Sequence, residues 1–178
     1  MKQDKKKSST YEMIYPVILL TVICLVASVL LGLTNSVTKP IIDEAEAQAA
    51  EATRKQLLPD AAGFAEVECD IDGVTSIFKD EGGSGYIIIV KGKGYKGALP
   101  VTVGISADGE VLGISVDASG ETAGVGSKTS LPEFTGRFAG LTGSADGVDV
   151  ITGASVSSRG VKAAVNQAFA AYEAVKEA

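Results

Sequence analysis

The chain contains no histidine, no tryptophan and only two cysteines, and its 16 Lys and Arg are outnumbered by 22 Asp and Glu. Each shortage excludes a chemistry. Without histidine there is no imidazole-based triad and no His-ligated metal or haem. Two thiols cannot build a four-thiolate zinc or iron–sulfur site. Cys24 lies in an apolar run and Cys69 in the polar remainder, so the two are not expected to pair. A net charge of -6 argues against nucleic acid as a partner, which needs a basic face for phosphates. What remains is hydroxyls, carboxylates, lysines, backbone groups or a borrowed cofactor. No catalytic residue and no metal ligand is expected.

A second absence is local: no charged residue occurs from Met13 to Thr38. The mean hydropathy of +0.24 is high for a chain of 178 residues, and much of it comes from this run. About 20 apolar residues suffice to cross a hydrocarbon layer as a helix. Residues 13–37 are therefore expected to be one transmembrane helix, with Pro16 in its first turn and Tyr11 and Tyr15 at headgroup level. Lys2, Lys5, Lys6 and Lys7 give residues 1–12 a net +2, and a basic flank stays cytoplasmic. Residues 40–178 carry 11 basic and 20 acidic side chains, a net −9, which places them on the outer face. A cleaved signal peptide is the rival reading. The uncharged run is long for one and no clean A-x-A site follows it, so a retained anchor in the cell membrane is preferred.

Residues 38–60, opening at Pro40 and stopping at Pro59, read as a stalk helix or linker. Acidic Asp43, Glu44 and Glu46 at its start and basic Arg54 and Lys55 at its end suit the helix dipole. Residues 61–178 form the outer domain. Short β-type runs at Phe64–Glu68, Val74–Lys79, Tyr86–Lys91, Val101–Ile105 and Val111–Val116 are separated by Asp-Gly and Gly-Gly turn signals. A short helix is expected over Leu131–Leu141. A longer one follows, with Val161, Ala164, Val165, Ala168, Phe169, Tyr172 and Val175 on one face. The fold class is α+β, an antiparallel sheet with packed helices, preceded by one transmembrane helix.

Before the last helix stands Thr152-Gly153-Ala154-Ser155-Val156-Ser157-Ser158-Arg159, with four hydroxyls in seven residues. Ser and Thr are good helix N-caps. A helix N-terminus with free N–H groups is equally a seat for phosphate, and Gly153 allows close backbone approach. Residue chemistry leaves capping and phosphate binding evenly balanced.

Thr152–Ser157 resembles the [S/T]-G-A-[T/S]-x-[T/S] pattern of the flavin-modified subunits of Rnf and Na+-translocating NADH:quinone oxidoreductase complexes. Four further motifs occur in the family's order: Gly94-Tyr95-Lys96-Gly97, the strand Pro100–Ile105, the turn and strand Asp108–Ile114, and the loop Glu121-Thr122-Ala123-Gly124-Val125-Gly126. Ala123 stands where the family usually has proline, the histidine often found before that loop is missing, and Ser157 stands where threonine is commoner. Chain size makes the resemblance nearer to the compact RnfG-type proteins of Rnf than to the longer NqrC-type proteins of the quinone-linked complex.

The resemblance implies FMN joined through its phosphate to Ser157, with Thr152, Gly153, Ala154 and Ser155 around the phosphate. It implies a flavin-ring pocket shaped by Glu121, Thr122, Gly124 and Gly126. Tyr95 packs near the flavin or fills the core. Arg159 and Lys128 are weaker candidates. The partners implied are a flavin transferase during maturation, membrane lipid and the other membrane subunits of a ferredoxin:NAD oxidoreductase that exports ions. The chain is then an electron-transfer subunit rather than an enzyme alone. Two other readings stay open: a stand-alone anchored flavoprotein, and a non-redox scaffold whose hydroxyl cluster only caps a helix.

Overall fold

The computed structural model describes residues 4–176. Lys2, part of the basic tip, and the last two residues lie outside the described residues. The chain divides into two units, residues 1–49 and 50–178.

Helix α1 runs unbroken over Asp4–Leu57. This corrects the expected place of Pro16, which sits about three turns inside the helix rather than in its first turn. The polar residues ahead of it are themselves helix-compatible, so the helix starts earlier. A single proline in so long a helix removes only one i→i−4 bond. Pro40 likewise lies inside α1 and marks no break. The helix is long and apolar enough to cross a membrane, and its apolar side chains from Met13 to Leu33 are exposed. Thr21, Ser28 and Thr34 turn their hydroxyls back onto the carbonyls of Val17, Cys24 and Leu30, so these polar groups are satisfied within the helix.

The second unit is built on five antiparallel strands in sequence order: β1 (Phe64–Val67), β2 (Val74–Asp80), β3 (Gly85–Lys93), β4 (Ala98–Ser106) and β5 (Val111–Val116). The register aligns apolar residues in rows across the sheet. Ile77, Ile88, Val103 and Ile114 form one row, and Val90, Val101 and Val116 another. Helix α3 (Ser155–Lys176) covers this face with Val161, Ala164, Val165, Ala168, Phe169 and Tyr172, all buried. Burying an aliphatic or aromatic side chain contributes about 1.5–3 kcal/mol, so this face carries most of the domain's stability. The expected helix over Leu131–Leu141 is shorter than predicted. Helix α2 covers Pro132–Thr135 and passes into a 3₁₀ turn at Gly136–Phe138. Phe134 and Phe138 meet edge to face there, and both are buried.

The opposite face receives the end of α1. Phe78, Ile87, Gly104 and Gly113 lie in one row of the register. A Cβ at Gly104 would stand 3.0 Å from the Leu57 Cβ, and one at Gly113 would stand 3.1 Å from its Cδ2. The two glycines therefore make room for Leu57, while the Arg54 guanidinium lies 4.0 Å from the centre of the Phe78 ring. The last turn of the long helix is thus docked on the sheet.

Asp80 closes the nearby corner. Its buried carboxylate accepts hydrogen bonds from the backbone N–H groups of Ala62, Gly63 and Ser84 and from the Ser84 hydroxyl. These donors, the Ser84 hydroxyl first, hold its pKa far below the usual carboxylate range.

Candidate functional site

Three segments distant in sequence converge at the start of α3: the β3–β4 hairpin, the loop from 117 to 131, and the turn 151–154. Gly160 brings the helix onto the hairpin, since a Cβ there would overlap the Lys93 carbonyl oxygen. That close approach carries the first turn of α3 to the hairpin tip. Gly153, at φ +83°, supplies the left-handed turn that feeds the helix.

The two adjacent serines of this turn have different work. Ser158 Oγ accepts from the Ile151 N–H at 3.1 Å and donates to the Ala154 carbonyl at 2.9 Å, so it ties the turn to the helix. Ser157, 1% exposed, instead donates its hydroxyl to Glu121 Oε2 at 2.7 Å. Ser158 is thus committed to local backbone, whereas Ser157 reaches across the fold to Glu121.

Glu121 is itself buried. Its second oxygen, Oε1, accepts from the Lys96 backbone N–H at 3.0 Å. Hydrogen bonds from the Ser157 hydroxyl first, then from the backbone of Lys96 and Tyr95, lower its pKa against the opposing effect of burial. Among the described residues no lysine or arginine side chain forms an ion pair with it. The carboxylate is therefore held ionised mainly by neutral donors. Gly94 and Gly126 explain themselves here, because a Cβ on either would overlap the Glu121 carboxylate. One glycine from each of two motifs makes the chamber for a single charged group.

A cleft of about 400 Å³ opens above this pair, lined by Tyr95, Thr122, Val125, Gly153, Ala154, Ser155, Val156 and Ser157. Three large apolar side chains stand exposed around it: Tyr95 at 71%, Val125 at 41% and Val156 at 46%. Two other clefts of similar size follow the hairpin 91–98 and the sheet edge near Cys69. Neither is lined by a buried hydroxyl or carboxylate.

Of the residues expected at the site, the cleft brings together Tyr95, Thr122, Gly153, Ala154, Ser155 and Ser157. Tyr95 stands on the rim, so it does not fill the core. Glu121 and Gly126 lie buried and outside the cleft lining, with Glu121 bonded to Ser157. Gly124, Thr152, Arg159 and Lys128 are exposed and do not line the cleft. The loop is ordered without its usual proline. The Thr122 carbonyl accepts from both Val125 and Ser127, and the Ser127 hydroxyl accepts from Gly124 N–H. Val125 and Val156 were missed as site residues. Each is an apolar side chain isolated among Gly, Ala and Ser, and that pattern is a signal for an apolar contact surface.

The FMN-binding domain family matches residues 94–170, and the RnfG N-terminal region matches residues 1–57. The G subunit of the Na(+)-translocating ferredoxin:NAD(+) oxidoreductase complex of Acetobacterium woodii is 31% identical, over 97% of this chain and 98% of its own. The G subunit of the ion-translocating oxidoreductase complex of Methanosarcina acetivorans is 33% identical, over 90% of this chain and 95% of its own. A crystal structure of the C subunit of the Na(+)-translocating NADH-quinone reductase from Parabacteroides distasonis, 24% identical, overlays 62% of this chain and 70% of that one with a TM-score of 0.48. Identity above 30% with a relative matched along nearly its whole length makes the assignment: the chain belongs to the RnfG family of ion-translocating oxidoreductase complexes, with an FMN-binding domain behind its N-terminal helix.

Proposed function

We propose that this chain is a membrane-anchored carrier of covalently held FMN that relays electrons inside an ion-translocating ferredoxin:NAD oxidoreductase complex. The observation that carries the covalent part is the Ser157 hydroxyl, buried at the cleft and bonded to a carboxylate rather than to local backbone. The residues present suit the cofactor. The exposed Tyr95, Val125 and Val156 offer apolar surface to a flat ring system, and the first turn of α3 turns N–H groups toward a phosphate.

When bound, FMN supplies the redox chemistry. The chain's own residues hold it and shape its surroundings. Ser157 is the ester anchor, with Gly153, Ala154 and Ser155 beside the phosphate and Tyr95, Val125 and Val156 shielding the ring from water. An ester tether keeps the flavin in place at any free flavin concentration, whereas a noncovalent site empties as the concentration falls below its dissociation constant. That matters on the outer face, the side to which the N-terminal lysines and the acidic remainder assign the domain. Residues 13–37 span the bilayer, 38–60 lead away from it, and 61–178 carry the flavin. A flavin transferase loads the protein, and other membrane subunits of the complex exchange electrons with it.

The full chain, co-expressed with a flavin transferase, is expected to give a flavin-fluorescent band on a denaturing gel, and Ser157→Ala to lose it. Fluorescence in the Ser157→Ala band overturns the attachment site, and a dark wild-type band overturns covalent holding. Co-purification of the loaded chain with other membrane subunits tests the place in a complex, and its absence supports a stand-alone carrier.

A further inference from the structure

The Ser157 hydroxyl is a poor nucleophile at neutral pH unless a neighbouring group takes its proton. The group within reach is Glu121, with Oε2 at 2.7 Å from Oγ. This distance lies within the 2.6–3.2 Å window of a general base. The pairing crosses 36 residues of sequence and is housed by Gly94 and Gly126. Ser158 and Thr129, by contrast, give their hydroxyls to local backbone carbonyls, those of Ala154 and Gly126. The carboxylate also has no salt-bridge partner among the described residues, so no ion pair competes for the oxygen that faces Ser157.

We propose that Glu121 is the proton acceptor that activates Ser157 for flavin attachment, so that the substrate chain contributes a base to its own modification. This rests on the reading of Ser157 as the attachment site. The donor must be a flavin dinucleotide, with the FMN phosphate in an anhydride to a second nucleotide, because a phosphomonoester has no competent leaving group. Ser157 Oγ forms the new O–P bond at the FMN phosphorus, and the anhydride P–O bond breaks. The second nucleotide departs as its monophosphate, and the Oγ proton passes to Glu121 and then to solvent. No electron is gained or lost. The hydroxyl already directs its hydrogen at Glu121, which leaves its lone pairs for the phosphorus.

The test follows attachment itself. Full-length wild type, Glu121→Gln, Glu121→Asp and Ser157→Ala are purified without flavin and incubated with a transferase and flavin adenine dinucleotide. The gain of about 438 Da (FMN less water) is timed by intact mass. Gln retains an oxygen acceptor and nearly the same shape but no basicity, so a purely structural role survives that change. The expected result is a rate at least about 100-fold lower for Glu121→Gln, the usual worth of a positioned base. Glu121→Asp is expected at least about tenfold above Gln. The proposal is overturned if Gln labels within about threefold of wild type, or if Asp is no faster than Gln. An unlabelled wild type, or a labelled Ser157→Ala, overturns the attachment site instead, so the two failures are distinct.

Discussion

Two buried carboxylates, Asp80 and Glu121, sit in different corners of the same domain and resemble each other closely in electrostatic terms. Both are more acidic than usual, both owe this first to a serine hydroxyl, and among the described residues neither has a salt-bridge partner. Their geometry separates them. The Asp80 donors come from the turn that follows it and from the link between α1 and β1, so all its capacity goes into holding chain together. The Glu121 donors come from a hairpin tip and from a helix start, and one of them is a hydroxyl facing a cleft rimmed by exposed apolar side chains. A buried charge satisfied by local backbone is a structural device. A buried charge satisfied across three segments by a potential nucleophile is a candidate for chemistry.

That contrast can be broken by substitution. The largest effect is expected at the flavin corner, where Ser157→Ala abolishes flavin attachment while the protein still folds, losing about 1.5–3 kcal/mol from one hydrogen bond to a buried carboxylate. Intact mass and a thermal melt measure both. Gly126→Ala is next. Its methyl would overlap the Glu121 carboxylate, so attachment is expected to fall at least about tenfold, with about 1–3 kcal/mol lost to overpacking.

At the other corner the signs reverse. Asp80→Asn is expected to lower the melting temperature by several degrees and leave the attachment rate of the folded protein within about twofold of wild type. Acid sharpens the same point. A carboxylate whose folded pKa is depressed contributes stability above its unfolded pKa, near 3.9 for aspartate, and loses it as pH falls through and below that value. Wild-type stability is therefore expected to drop between about pH 5 and pH 2, as seen in urea melts, and Asp80→Asn to show a shallower drop.

The smallest effect is expected beside the site. Ser158→Ala leaves the Ile151 N–H without its acceptor and costs about 1–2 kcal/mol, while attachment at Ser157 proceeds.

Much of this was legible in the residues themselves. The five strands announce themselves by alternation and by Gly-containing turns, and α3 by its repeating apolar face, because both signals are local. The hydroxyl cluster was visible, yet residue type alone could not say which serine ties the turn and which faces the cleft. Only the approach of Gly160 to Lys93 and the reach of Glu121 across the domain decide that. The docking of Leu57 on Gly104 and Gly113 was hidden for the same reason: the two glycines become neighbours only through the β4–β5 register. Pro16 misled because proline suits a first helical turn, and the helix begins well before it. Asp80 did carry a local signal, an aspartate four residues before a serine with Gly82 and Gly83 between them, a pattern typical of side-chain-closed turns.

The central claim is that Ser157, and not its neighbours, carries the flavin. Trypsin releases the segment from Phe138 to Arg159, which holds Thr152, Ser155, Ser157 and Ser158 together. Fragment-ion mass spectrometry of that peptide, from protein matured with a transferase, is predicted to place about 438 Da on Ser157 alone. The same mass on Ser155 or Ser158, or an unmodified peptide from protein that is visibly yellow, would contradict the account.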